Sequence, residues 1–230
     1  MEGSLELLSP RAIKDWSHRR RLDEAGVRGG WNYHLDHAWL YREIDLYVKA
    51  RPAETPVILD VGVANSALHT FMETDLRMGI IGIDRIWGNC PNESRDMRMD
   101  LCIDFRTGNT FFDGTADIVY WCSSIEHNPA DEMKACVAES LRALKPGGLF
   151  LATFSYAPET HWFEESQALD LSAEDAEGVF GVPWTRSPDF DATIEEYRED
   201  IFDLDTRYFE RYGSHEYDFV VAGAKIIKGR

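Results

Sequence analysis

No stretch of this 230-residue chain approaches the run of about 18 apolar residues that a membrane-spanning helix needs. Residues 1–10 lack a basic flank ahead of an apolar core, which argues against a secretory signal. None of the four cysteines, Cys90, Cys102, Cys122 and Cys136, forms a C-x-x-C pair, so reduced, packed thiols in a cytoplasmic protein are expected. Positive charge is scarce. Twenty-four Lys and Arg face 41 Asp and Glu, for a formal net charge of −17. Such a polyanion repels a phosphate backbone, and Arg19-Arg20-Arg21 is the one dense basic run, so nucleic acid is disfavoured as a partner. Internal repeats and low-complexity segments are absent too. The 44% of hydrophobic residues then suits one α/β domain with embellishments, or at most one domain and a small cap.

The strict G-x-G-x-x-G pattern is also missing, because Ala64 stands where its second glycine would be. What stands there instead is Val57-Ile58-Leu59-Asp60-Val61-Gly62-Val63-Ala64-Asn65-Ser66. Its apolar start reads as a strand buried on both faces, as in a parallel sheet, with Pro56 at its head. Small residues at Gly62, Ala64 and Ser66 then let a ligand approach the backbone, and the following helix aims its N–H groups at that ligand.

Further strands follow on the same logic. Ile80–Asp84 is the second, and Asp84 lies about twenty residues past Gly62, where a carboxylate can grip both ribose hydroxyls. A short strand is expected near Met97–Met99, followed by Asp100-Leu101, then one at Ala116–Cys122 and a fifth at Leu149–Phe154. Helices are predicted over Trp31–Ala50, Ala67–Met78 (with Gly79 at its cap) and Asp131–Leu144, the last closed by Lys145-Pro146-Gly147-Gly148. The first of these shows an apolar face of Leu35, Trp39, Leu40, Ile44, Tyr47 and Val48. Residues 1–30 read as a surface helix or arm. The acidic, aromatic stretch from Ser155 to about Gly213 is too long for a simple connection and should carry structure of its own. Tyr217–Ile227 is the last strand.

Together LDVGVANS, IIGID, MDL, ADIVYWCSSIEH and LKPGGLFLATF, in that order, resemble a class I S-adenosylmethionine-dependent methyltransferase of the small-molecule type. The resemblance covers Val57–Phe154, with Tyr217–Ile227 as the final strand. It implies a Rossmann-like, seven-stranded, mostly parallel sheet with helices on both faces and a cap insertion before the last strands. Residues 1–50 would form an N-terminal helical arm or lid, 51–230 the methyltransferase domain, and 155–213 an acceptor-side insertion. The cofactor would be S-adenosyl-L-methionine and the acceptor a small molecule, such as a hydroxyl of a sugar or other metabolite.

The same resemblance implies roles for single residues. Asp60, Gly62, Val63, Ala64 and Ser66 would surround the methionine moiety, with Asp60 reaching its amino group directly or through water. Asp84 would hold the ribose, Arg85 or Ile86 would cover the adenine, and Asp100 with the Leu101 N–H would read its edge. Ser123 would line the passage to the sulfonium. The family's second and third glycines are Ala64 and Ser66 here, which narrows the cofactor's room.

A hydroxyl acceptor must lose a proton, and His127, just past the fourth strand, is the candidate base. Its plainer reading is a residue that caps the next helix. Glu126 is the alternative acid–base group. The metal-dependent E-x-x-E-H pattern fails because Ser123 replaces its first glutamate, so no metal is expected. His34 and His37, and His161 beside Trp162 and Phe163, are weaker candidates. Trp31 and Tyr33 fit a lid or a simply packed helix. The aromatics Tyr156, Trp162, Phe163, Phe180 and Trp184 fit either an acceptor wall or a satellite core. A nicotinamide-dependent oxidoreductase and a non-catalytic cofactor-binding subunit remain as alternatives on a similar fold.

Overall fold

The computed structural model describes residues 2–27, 33–52, 55–64, 66–85, 99–102, 104–106, 112–163, 167–200 and 220–229. Its strands are β1 (Glu2–Leu7), β2 (Ile58–Val61), β3 (Ile80–Asp84), β4 (Met99–Cys102), β5 (Ala116–Trp121), β6 (Leu144–Tyr156), β7 (His161–Phe163), β8 (Ala168–Asp170) and β9 (Val220–Ile227). The helices are α1 (Pro10–Lys14), α2 (Ser17–Glu24), α3 (Tyr33–Lys49), α4 (Ala67–Leu76), α5 (Ala130–Ala143), α6 (Ala173–Phe180) and α7 (Phe190–Asp200).

One sheet runs β1-β9-β6-β5-β2-β3-β4, and β7 and β8 form a separate hairpin. β4, β3, β2, β5 and β6 are parallel neighbours, while β9 runs antiparallel to both β6 and β1. β2 and β5 are buried along their whole length, as strands of a parallel sheet covered on both faces are, and each takes one aspartate inside with it, Asp60 and Asp117. The mostly parallel α/β architecture is therefore the one expected.

Its edge is a correction. Six of the strands lie between residues 58 and 227, and the outermost position beside β9 belongs to β1, from the segment read as a surface arm. Glu2 to Leu7 pair residue by residue with Ile227 to Ala222, and Leu5 is fully buried. The run is too short and polar to announce a strand locally. Its pairing with β9 is a tertiary choice.

α3 is also more deeply embedded than a lid would be. Its predicted apolar face packs against β6 and β9, with Leu35, Trp39, Leu40 and Ile44 almost wholly buried. Trp39 lies on Gly223 of β9, where a Cβ would come within 2.7 Å of its ring, and its Nε1 donates to Glu6 of β1 at 2.7 Å. On the outer side α2 covers it through His18 and Asp45 at 2.8 Å. Two arginines of the basic run pair with carboxylates, Arg19 with Asp23 and Arg21 with Asp75.

Two helix ends differ from expectation. α4 stops at Leu76, and Arg77 takes the left-handed cap (φ 54°) that Gly79 was expected to take. α5 ends at Ala143. Lys145–Gly148 then enters β6 through a register irregularity against β5, with Gly147 at φ +80°.

Residues 155–200 have structure of their own: the β7–β8 hairpin, α6 and α7. Their aromatics act mostly as core. Phe180 is buried against Phe154 (4.8 Å between ring centroids) and Phe150, while Tyr156 meets Trp184 at 5.2 Å. Trp162 alone stands well exposed among the described aromatics.

Candidate active site

The carboxyl ends of β2, β3 and β5 meet on one rim, and the chain turns sharply at each. After Val61, Gly62 has φ +76°, and its N–H and that of Val63 both donate to the Ile83 carbonyl at 2.8 and 3.1 Å. A Cβ on Gly62 would sit 2.6 Å from the Ser124 side chain, whose Oγ donates to the Val61 carbonyl at 2.9 Å. The β2 and β5 tips are thus pressed together, and glycine is required on both steric and conformational grounds. Ala64 follows at φ 38° and Ser123 stands at φ 42°, two non-glycine residues in left-handed conformations on adjacent tips. Such strain persists only where the surroundings over-determine it, and it gathers at functional sites.

Ser66 caps α4, accepting the His69 N–H on its Oγ at 3.1 Å, so the helix opens toward the turn. Asp84, at the tip of β3 and 7% exposed, accepts the Ala64 N–H at 3.3 Å. The Gly62 cradle, the α4 N-terminus and the Asp84 carboxylate thus share one rim. This donor and acceptor set fits a nucleoside bearing an amino-acid tail. In β4, Asp100 pairs in register with Gly82 and Leu101 with Ile83, setting Asp100 two residues back from the level of Asp84. Arg85 is exposed beyond β3. Ile86 falls outside the described residues, as do Trp31 and residues 97 and 98 of the strand expected near Met97–Met99, whose last residue opens β4.

Asp60 lies deeper than Gly62, Ala64 and Ser66 of the turn. Its carboxylate is 1% exposed and accepts from His69 Nδ1 at 2.9 Å, inside the protein behind the turn. Burial first, then the Asp60 charge, pushes the neighbouring Tyr120 phenol well up.

Beyond β5 lies a cluster of acids that the sequence reading only half anticipated. Ser123 donates its hydroxyl to Asp36 Oδ2 of α3 at 2.7 Å, and its N–H to Thr153 Oγ1 at 3.0 Å. Asp36 is fully buried, and desolvation, opposed by the Ser123 hydrogen bond, lifts its pKa to about 8, with Glu126 adding to the rise. Glu126, in the single 3-10 turn Ile125–His127, is lifted to about 8 chiefly by burial, with the Asp170 charge contributing. Asp36 Oδ1 and Glu126 Oε2 have no hydrogen-bond partner among the described residues. The same burial, with these charges nearby, pushes the Cys122 thiol well up.

Glu126 was a named candidate, whereas Asp36 was not. The signal was present: Asp36 lies three and four residues before Trp39 and Leu40, so it shares their buried stripe. His127 is exposed, with Nδ1 2.9 Å from the Gln167 carbonyl. A carbonyl can only accept, so Nδ1 carries the proton and Nε2 of the neutral ring is the basic nitrogen. His161 is tied to Asp170 at 3.3 Å. Among the described residues no group of three or more His, Cys, Asp or Glu could hold a metal, and no helix is long and apolar enough to cross a membrane.

A parallel sheet with a glycine turn, a capped helix and an acid on one carboxyl-edge rim defines a nucleotide-type crevice of the doubly wound class. Comparison with known proteins narrows this. Residues 59–152 match the methyltransferase domain family. The fold is similar to phosphoethanolamine N-methyltransferase 2 of Haemonchus contortus, solved with S-adenosyl-L-methionine, at 16% identity and TM-score 0.57, covering 94% of this chain and 60% of that one. It is also similar to geranyl diphosphate C-methyltransferase of Streptomyces coelicolor A3(2), at 12% identity and TM-score 0.55 over 100% and 89% of the two chains. The cyclase SpnF shares 16% identity, with TM-score 0.58 over 99% of each chain. By sequence, no curated protein matches the chain. The family match spans the motifs from β2 to β6, so residues 59–152 resemble a methyltransferase domain, and the solved neighbours share the fold around it.

Proposed function

We propose that this chain transfers the methyl group of S-adenosylmethionine to a small molecule, with a hydroxyl of a sugar or similar metabolite as the acceptor. The carrying observation is that Ser124 seats against Gly62, which brings the acid- and histidine-bearing β5 tip beside the glycine turn. Asp84 holds the ribose, and Gly62, Val63, Ala64 and Ser66 receive the methionine end against the α4 N-terminus. Arg85 or Ile86 covers the adenine, and Asp100 and Leu101 read its edge. Ser123 stands where the acceptor approaches. S-adenosylmethionine, when bound, supplies a methyl group on a positively charged sulfur. The chain's task is alignment, which in well-oriented systems is worth roughly 7–11 kcal/mol of the barrier. His127 Nε2 takes the hydroxyl proton, its ring orientation fixed by the Gln167 carbonyl.

The solved relatives named for methyl transfer act, by their titles, on phosphoethanolamine and geranyl diphosphate, both small molecules. That supports a small acceptor over a macromolecular one, as does the pairing of Arg19 and Arg21 with acids. SpnF, a cyclase on the same fold, shows that the fold alone does not fix the reaction.

The test is calorimetric titration with S-adenosylhomocysteine, plus transfer of labelled methyl to a panel of hydroxylated metabolites. The wild-type chain should bind the cofactor product and ignore NAD. Asp84→Ala should weaken binding roughly 100-fold or more, the scale of two hydrogen bonds to a charged group. His127→Ala should lower turnover roughly 10²–10⁴-fold at unchanged affinity. Unaltered affinity in the first variant removes the ribose assignment, and full turnover in the second removes the base.

A further inference from the structure

His69 is fully buried in α4 and has no part in the reaction described above. Two contacts set it apart. Its ring Nδ1 lies 2.9 Å from Asp60 Oδ2 at the end of β2, and its backbone N–H donates to the Ser66 Oγ at the head of α4. One residue thus holds both ends of the turn that starts at Gly62. On its far side Nε2 is 3.6 Å from Glu73 Oε1, too long for a hydrogen bond, so the Asp60 contact is the close one.

A buried hydrogen-bonded polar pair of this kind is seldom the most stable filling of a core, since an apolar pair of equal volume often does as well. The turn it spans is strained at Ala64 and lacks the flexible second glycine that would let it adopt its shape freely. An added constraint from below then has a purpose. We propose that His69 is a positioning residue for cofactor binding, clamping the Gly62 turn through Asp60 and Ser66 so that its open face is preformed. This rests on the assignment of that turn to the cofactor. It also gives Asp60 a role: the acid shapes the site from behind instead of touching the ligand.

The experiment compares wild type, His69→Leu and His69→Asn by calorimetric titration with S-adenosylhomocysteine, with thermal unfolding in parallel. Leucine keeps the bulk and loses the donor, whereas the asparagine amide places an N–H near the position of Nδ1. His69→Leu should weaken binding roughly ten-fold or more at a temperature where it is fully folded. His69→Asn should stay within about three-fold of wild type. Equal affinity in the leucine variant, whatever its melting temperature, overturns the proposal, because a purely structural residue would shift unfolding alone. Equal weakening in both variants overturns it as well. If His69→Leu does not fold, Asp60→Asn serves as the second probe, and undiminished affinity there is the contrary result. A wild-type chain indifferent to S-adenosylhomocysteine overturns the assignment of the turn, and the clamp with it; that outcome is distinct from failure in the variants alone.

Discussion

Ala64 and Gly62 stand two residues apart, and their backbones make opposite demands on their side chains. Gly62 has nowhere to put a methyl group, since Ser124 already fills that space at 2.6 Å. Ala64 carries a methyl at φ 38°, a conformation that disfavours any Cβ. Ala64→Gly should therefore relieve up to about 1–2 kcal/mol of backbone strain, offset in part by the greater freedom of glycine in the unfolded chain. The net change expected is a melting temperature equal to or slightly above wild type. Gly62→Ala should lose several kcal/mol, as overpacking and a forbidden conformation coincide. Differential scanning calorimetry reads both; a stabilised Gly62→Ala would refute the packing described. The glycine-position argument was legible in the sequence because it depends on local order alone. The inward turn of Asp60 was not, because it depends on His69, nine residues on and one helical turn into α4. Asp36 was missed for a related reason: its consequence, a carboxyl held protonated near neutrality, arises from burial in the assembled fold, with Glu126, 90 residues away, adding to the rise and the Ser123 hydrogen bond opposing it.

Among the elements, the parallel core from β2 to β6 announced itself through continuous apolar runs, each ended by an acid, a glycine or a serine. β1 announced nothing. Its six residues hold the sheet's edge by pairing with β9, and its free side is met in turn by 183–185: the Leu5 N–H donates to the Pro183 carbonyl and the Thr185 N–H to the Leu5 carbonyl. α7 adds a second tie, with the buried Tyr197 hydroxyl donating to the Leu8 carbonyl at 2.8 Å and accepting the Val221 N–H at 3.0 Å. The described part of the insertion therefore shields an edge that would otherwise expose unpaired backbone groups. It also supplies Gln167 to His127 and Asp170 to the Glu126 environment. One segment thus holds the sheet edge at one end and meets the β5 tip at the other. Leu5→Ala should cost about 2–5 kcal/mol, the usual range for emptying a fully buried leucine site. Urea unfolding should show the loss in its midpoint. A change below about 0.5 kcal/mol, normal for a surface position, would return residues 2–7 to the status of a loose arm.

For the molecule as a whole, the two acids buried beyond β5 make folding depend on pH in a direction opposite to that of most carboxylates. In the unfolded chain Asp36 and Glu126 release their protons near 3.8 and 4.5; in the fold they keep them up to about pH 8. Between those limits the folded state binds more protons than the unfolded one, so stability is fullest at the acid end and falls as pH rises through about 8. Asp104 is held low chiefly by its hydrogen bonds to Arg106; Asp45 is low despite burial, through Lys49 and His18. Both titrate below that window and do not cancel the trend. The double variant Asp36→Asn, Glu126→Gln carries no ionisable group at either position and should melt at a temperature that varies less between about pH 5 and pH 8.5. For a chain of this size the relief should appear as roughly 2–4 °C per kcal/mol at the alkaline end. Parallel melting curves for wild type and variant across that range would mean that the two carboxyls titrate as exposed groups do. In that case the β5 tip would carry two ordinary carboxylates at neutral pH in place of two protonated acids.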